Sequence, residues 1–202
     1  MGQAPKGMRT TLLLLLVLAL PGSLRAQAGP PSSIQDGRVR SAVAFTVQGS
    51  RIAGSSRVHH GGWAGLVLGG HFLVGGGGFA PTQNVELPGT DSGTGFLLRM
   101  GYGGLVFRYW KPLDLGVTAS GGMLLGAGHA RVRDRLQGTE LGSDNFFVLE
   151  PTLSLAHPLL SWLHIEGTLG YRKALDVEDL PTVSAADLSS FTGALSLRVG
   201  GM

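Results

Sequence analysis

The sequence predicts an all-β fold: an antiparallel, up-and-down transmembrane β-barrel of about eight strands. Three observations predict it. Apolar stretches alternate with period two, the connections between them alternate between short and long, and the composition is poor in charge and rich in glycine. The 202 residues include 34 glycines, well over twice the average share of ~7 %, with no Gly-X-Y period. Charged residues make up 14 %, where an ordinary soluble surface carries ~25–35 %. The formal net charge of +3, with no Lys/Arg block and no nucleic-acid motif, argues against nucleic acid as a partner. Cysteine is absent, so a disulfide scaffold and thiol chemistry are both excluded.

Residues 1–28 read as a cleaved secretory signal peptide. Lys6 and Arg9 form the basic region, Thr11 to Leu20 the apolar region, Pro21-Gly22 the break, and Ala26-Gln27-Ala28 an A-x-A cleavage site. The apolar run is shorter than the ~20 residues a membrane-spanning helix needs. Residues 29–40 (GPPSSIQDGRVR) form a polar lead-in, and residues 41–202 the barrel domain.

Within that domain, Ser41 to Gly49 alternates Val43, Phe45 and Val47 with Ala42, Ala44, Thr46 and Gln48, a strand pattern. Arg51 to Arg57 reads as a short polar connection. His60 to Leu68 and Phe72 to Phe79 form a hairpin about Gly69-Gly70, a two-residue turn signal. Ala80 to Gly95 is a long polar loop. Phe96 to Tyr109 and Leu115 to Val132 are strands joined by a corner at Trp110 to Asp114. Arg133 to Asp144 is a second polar loop, Asn145 to Ala156 a strand, His157 to Ser161 a short turn, and Trp162 to Ala174 the returning strand. Leu175 to Leu188 is an acidic loop, and Ser189 to Val199 the last strand. Short turns at one rim and longer loops at the other, with an even strand number, characterise outer-membrane barrels.

Face by face, Phe191, Leu195, Leu197 and Val199 oppose Thr192, Ser196 and Arg198. Leu163, Ile165, Leu169 and Tyr171 oppose His164, Glu166, Thr168 and Arg172. Phe147, Leu149, Leu153 and Leu155 oppose Glu150, Thr152 and Ser154. Apolar-out, polar-in strands of ~10 residues fit a membrane barrel. In 96–132 the parity is mixed, with Leu105 and Phe107 sharing a face with Arg99; interior packing or a parity-shifting bulge accounts for that. Transmembrane helices are disfavoured, because each interior glycine costs a helix ~1 kcal/mol. A soluble, secreted or periplasmic lipocalin-like ligand-binding barrel has the inverse polarity and stays as the alternative. A second alternative is a barrel-wall lipid-modifying hydrolase using His129 or His164.

Gly101-Tyr102-Gly103-Gly104-Leu105-Val106, Phe146-Phe147-Val148-Leu149-Glu150-Pro151 and Gly170-Tyr171-Arg172, followed by a polar loop and a final Leu-Ser-Leu-Arg strand, resemble uncharacterised small outer-membrane barrel proteins of Gram-negative bacteria. The architecture is similar to the eight-stranded OmpA/OmpX type. The resemblance implies the barrel fold and is nearly silent on activity. The chain as a whole is read as an exported, monomeric outer-membrane barrel with a structural or surface-interaction role, with outer-membrane lipid and the barrel-insertion machinery as partners and with neither cofactor nor catalysis expected. The chain departs from that type at Val199-Gly200-Gly201-Met202, where such barrels end in an aromatic residue.

The charged residues on the inferred inward faces, Arg99, Glu150, Glu166, Arg172 and Arg198, are expected to form a lumenal ion-pair network plugging a narrow barrel, since unpaired charges there are costly. Tyr102, Tyr109, Trp110, Trp162 and Tyr171 are expected as interfacial aromatic girdles. Adjacent His59 and His60 point to opposite faces of a strand and make a poor chelate, so no metal site is expected. No G-x-S-x-G nucleophile motif is present. The Gly75–Gly78 run lacks the Lys-Ser/Thr and helix of a phosphate loop. The loops Asp176–Asp187 and Ala80–Gly95 read as solvated segments.

Overall fold

The computed structural model describes residues 39–87, 95–113 and 116–200. The predicted signal peptide, nearly all of the predicted lead-in, part of the predicted loop Ala80–Gly95, Asp114 of the predicted corner and Leu115 of the strand predicted after it lie outside the described residues. Among the described residues nine strands are formed: β1 (Arg40–Ile52), β2 (Ser55–Leu68), β3 (Phe72–Pro81), β4 (Val85–Leu87), β5 (Phe96–Pro112), β6 (Thr118–Asp134), β7 (Glu140–Pro158), β8 (Leu163–Leu175) and β9 (Ser190–Val199), with a one-turn helix α1 (Ala185–Leu188). Every pairing is antiparallel, and the ring closes because β1 pairs with β9 and β3 with β5. The short β4 continues the stave of β3, pairing Val85–Leu87 with Leu98–Phe96 of β5. The barrel therefore has eight staves.

The described chain enters and leaves at one rim, which also carries the connections 69–71, 113–117 and 159–162; this is the turn rim. The connections 53–54, 82–95, 135–139 and 176–189 lie at the opposite, loop rim. Two connections differ from the sequence reading. Arg51 to Arg57 is not a loop: β1 and β2 continue through it, pair to Ile52↔Ser55, and turn on Ala53-Gly54 with φ of 47° and 75°. Two residues at positive φ make the tight turn whose twist matches its strands, and Ala53 is an unexpected residue there. Conversely, the turn about Gly69-Gly70 holds three residues, because Leu68 pairs with Phe72. Much of the predicted loop Arg133–Asp144 is likewise strand.

Alternation in burial follows the predicted chemistry. In β1, Ala42, Ala44, Thr46, Gln48 and Ser50 are buried, while Phe45 is 62 % exposed between exposed Val43 and Val47. In β7, β8 and β9, Leu153, Leu169 and Phe191 are 72 %, 72 % and 81 % exposed, whereas Glu150, Glu166, Arg172 and Arg198 are buried. Large apolar side chains thus face out and polar ones face in, the inverse of a soluble barrel.

The mixed parity in 96–132 involves no bulge. β5 and β6 pair without interruption from Phe96↔Asp134 to Pro112↔Thr118. The inward face of β5 is itself largely apolar: Leu98, Met100, Tyr102, Val106 and Trp110 are buried, with Arg108 among them. β6 turns Gly122, Gly126 and Gly128 toward the same side. Gly104 and Gly126 face each other across the ladder, and a Cβ on either would run into the other strand's backbone. Glycine here allows the tight approach that a narrow, strongly curved wall needs.

The connection between β8 and β9 folds over the loop rim. Leu180, Val183 and Leu188 are buried against a cluster that includes Ile52, Val85, Leu98, Val132 and Phe146. Ser184 N–H donates to Asp187 Oδ2 at 2.9 Å at the start of α1, and Ala53 N–H donates to Asp187 O at 2.9 Å, fastening α1 to the β1–β2 turn. At the same rim, Asp144 Oδ2 accepts the backbone N–H groups of Glu178 (2.8 Å) and Asp179 (3.1 Å). These bonds, Glu178 first, hold the Asp144 carboxyl below the usual carboxylate range. A depressed carboxyl stabilises the folded loop fully above the ordinary aspartate range and loses that contribution as pH falls through its lowered value. Hydrogen exchange of Glu178 and Asp179 is therefore expected to stay constant from neutrality down to about pH 4, after correction for intrinsic rates, and to accelerate below it. Asp144→Ala should remove the pH dependence. Equal protection at all pH values in both proteins would contradict the anchoring role.

Candidate functional site: the polar interior

Polar and charged side chains from several staves converge inside the barrel at three levels. Toward the turn rim, Glu166 of β8 pairs with Arg108 of β5, and Arg198 of β9 has its Nε 3.9 Å from Glu166 Oε2. Glu166 and Arg198 are fully buried and Arg108 nearly so. The Arg108 guanidinium lies 4.9 Å from the Trp63 ring centroid, and that of Arg198 lies 4.9 Å from the ring of Trp110. The two indoles are themselves 6.3 Å apart. One carboxylate thus serves two guanidiniums, each stacked on an indole face that adds cation–π attraction. His164, also buried, lies across the ladder from Arg198.

At mid-barrel, Glu150 of β7 accepts three hydrogen bonds. Gln48 Nε2 donates to Oε1 at 2.6 Å, Thr192 Oγ1 to Oε1 at 2.9 Å, and the Tyr102 hydroxyl to Oε2 at 2.8 Å. Gln48 Oε1, 2.9 Å from the same hydroxyl, is a second acceptor within its reach. The hydroxyl pairs Thr46–Ser196 (2.8 Å) and Ser154–Thr168 (2.9 Å) fill the surrounding wall. A cavity of about 40 Å³ remains among Thr46, Gln48, Trp63, Arg108, Glu150 and Ser196, room for a few waters at most.

Toward the loop rim, Arg172 is fully buried and donates to Leu188 O (2.9 Å), Ser50 Oγ (3.2 Å) and Arg51 O (3.3 Å). Its guanidinium lies 5.3 Å from the Tyr102 ring centroid, linking this level to the Glu150 level. Ser50 Oγ is 3.3 Å from His59 Nδ1. Arg172 therefore ties the barrel wall to the end of α1.

Of the five residues expected in an interior network, Glu150, Glu166, Arg172 and Arg198 point inward. Arg99 does not. It is exposed on the outer wall, where its Nε donates to Asn84 Oδ1 at 2.7 Å. The inward arginine of β5 is Arg108, on the same face as Tyr102; the polarity of the strand's start points to Arg99 instead and hides it. Arg172 and Glu150 also make no direct ion pair; each has its own set of hydrogen bonds, and Arg172 Nη1 is left without a hydrogen-bond partner among the described residues. Among the aromatics, Tyr109, Trp162 and Tyr171 are outward and exposed, but Tyr102 and Trp110 are buried inside the barrel and belong to no girdle. Their position near strand ends suggests the interface; their parity, shared with Arg108, excludes it.

No group of three or more histidine, aspartate or glutamate side chains able to hold a metal occurs among the described residues. His129, which contacts Asn145 on the exterior at 3.0 Å, and His164, inside, stand on opposite faces of the wall.

No family model and no curated protein matches the sequence. Solved structures do. Neisserial surface protein A (NspA) is matched with a TM-score of 0.51 at 15 % identity, over 81 % of this chain and 96 % of that one. A major outer membrane protein from Thermus thermophilus is matched with a TM-score of 0.52 at 13 % identity, over 79 % of this chain and 99 % of that one. The fold is that of a small outer-membrane β-barrel. At these identities the likeness speaks for the fold alone, and the small barrel's particular chemistry is that of its own interior and rims.

Proposed function

We propose that the protein is exported by a cleaved signal peptide, inserted by the barrel-insertion machinery, and resides in an outer membrane as a monomer with a structural or surface-interaction role. The observation that carries this reading is the polarity of the wall: an apolar exterior band around hydrogen-bonded polar staves. Such an exterior is tolerable in lipid and costly in water. The lumen is plugged: Trp63, Trp110 and the arginines fill the turn-rim half, and Leu180, Val183 and Leu188 cover the other. The 40 Å³ left between them is far below the ~300 Å³ of a small-molecule site, which argues against the lipocalin-like alternative. Neither candidate histidine, His129 on the exterior or His164 inside, has a serine hydroxyl as a hydrogen-bond partner among the described residues, and the protein is read as non-enzymatic. Fractionation tests the reading. The protein is expected in the detergent-extracted outer-membrane fraction, migrating faster on a gel before boiling than after. Recovery in the soluble fraction would refute the placement, and channel conductance in a planar bilayer would refute the plug.

A further inference from the structure

Charge on the outer wall is concentrated at the loop-rim end of β4, β5 and β6. There Arg99 and Arg131 stand directly opposite each other on the outward faces of β5 and β6, and Arg133 follows one outward position higher. Like charges directly opposite on a ladder are unfavourable unless something neutralises them. Among the described residues the carboxylates nearby, Glu86, Asp134 and Glu140, are fewer than the guanidiniums of Arg99, Arg131, Arg133 and Arg135. Glu140 is 3.2 Å from Arg131 Nε and Glu86 3.3 Å from Arg135 Nη1. Asp134 Oδ1 accepts the N–H groups of Leu136 (2.7 Å) and Gln137 (2.9 Å) within its own turn. Among the described residues Arg133 has no ion pair, and the hydrogen bond of Arg99 goes to neutral Asn84. Arg99, Arg133 and Arg135, with Asn84, Leu97 and Asp134, line a cleft of about 200 Å³ that opens on the exterior.

Directly below this cleft the lipid-facing wall is smooth. The outward row Gly62–Gly78–Gly103–Ala127 crosses four staves between Phe45 and Phe147. The rows beneath it turn to Leu105 and Leu125, then to Val74, Phe107 and Met123. A cationic cleft at the height of the headgroups, above a depression in an apolar wall, is complementary to one molecule with a phosphate at one end and acyl chains at the other.

We propose that this face docks a phosphate-bearing, multiply acylated lipid of the surrounding leaflet. Its phosphate sits among Arg99, Arg133 and Arg135, and its chains lie over the Gly62–Ala127 row. Planar guanidiniums grip phosphate oxygens through paired charge-assisted hydrogen bonds. The inference rests on the membrane reading above. It adds the headgroup chemistry and the face of the barrel that recognises it.

The test uses the full chain purified in detergent, passed over a sizing column with bisphosphorylated lipid A or with the same lipid A dephosphorylated, and bound lipid measured per barrel by mass spectrometry. The phosphorylated lipid is expected to co-elute and the dephosphorylated one to be lost. The R99Q/R133Q variant is expected to retain about tenfold less of the phosphorylated lipid, or lower still, as loss of charge-assisted contacts implies. A heat-modifiable band in the variant separates lost binding from lost folding; should that variant not fold, Arg135→Gln, on the exposed 135–139 connection, is expected to weaken retention on its own. Equal retention of the two lipids, or unchanged retention in a folded variant, overturns the proposal. So does competition by inorganic phosphate or a soluble sulfated polysaccharide in an arginine-dependent manner without lipid selectivity, which would make the cleft a site for a free polyanion. A protein that is never heat-modifiable fails the membrane reading; one that is heat-modifiable but indifferent to the phosphate fails this inference alone.

Discussion

Replacing Glu166 with alanine is expected to destabilise the barrel by about 3–5 kcal/mol, the usual cost of removing one partner of a buried ion pair. Glu166 is the carboxylate between Arg108 and Arg198, and all three are buried. Its removal leaves two guanidiniums stacked on Trp63 and Trp110 with no counter-charge in a low-dielectric interior, where cation–π contact recovers only a part of the loss. Glu166→Gln should be nearly as harmful, because an amide brings no charge and turns a donor toward donors. Adding Arg108→Met and Arg198→Met to Glu166→Ala should recover much of the loss, since buried charges replaced together by apolar groups are often neutral. The measurement is urea unfolding of each protein folded into vesicles, followed by the heat-modifiable band. A midpoint unmoved by Glu166→Ala would mean that the turn-rim half is solvated and that the packed arrangement does not carry the barrel's stability.

The fold is legible wherever a strand has one apolar face and one polar face. β1, β7, β8 and β9 have such faces, and the side that Phe45, Phe147, Leu169 and Phe191 occupy in the sequence pattern is the exposed side in space. Legibility fails where the interior is itself apolar. The inward face of β5 carries Leu98, Met100, Tyr102, Val106 and Trp110 because it packs beneath the β8–β9 connection and against Trp63. Polarity therefore does not distinguish inside from outside, and Arg99 reads as the lumenal residue in place of Arg108. The available signal is parity alone: Arg108 is in phase with Tyr102 and Trp110, Arg99 with Leu105 and Phe107. Polar strand ends resist reading for a related reason. Ser50 to Arg57 and Arg131 to Asp144 rise past the apolar band, so their pairing is set by the ladder below them and leaves no hydrophobic alternation to recognise. The hydrogen bonds at Glu150 join residues from four strands distant in sequence, which no local pattern encodes.

Glu150 offers the contrasting case to Glu166, and the contrast separates charge from hydrogen bonding as the organiser of the interior. Its carboxylate is met by three neutral donors, from Gln48, Thr192 and Tyr102, and by no guanidinium. Glu150→Ala strands those donors and opens a cavity, so a loss of about 3 kcal/mol is expected from unsatisfied buried groups costing about 1–3 kcal/mol each. Glu150→Gln should behave differently. The introduced amide oxygen can take the position of Oε1 and keep the bonds from Gln48 and Thr192. Its NH₂ then faces the Tyr102 oxygen, which can accept, because the Tyr102 hydroxyl proton can turn to Gln48 Oε1, already 2.9 Å away. The donors of Gln48, Thr192 and Tyr102 all stay satisfied after a rotation of one hydroxyl, leaving only the second N–H of the new amide to find an acceptor, and the expected cost is about 1 kcal/mol. Glutamine is thus tolerated at one buried glutamate and not at the other. Unfolding midpoints of the paired variants Glu150→Gln and Glu166→Gln decide the matter: if both fall together, Glu150 acts through its charge, sensed by Arg172 across the Tyr102 ring, and the separation of the interior into an ionic level and a hydrogen-bonded level is wrong.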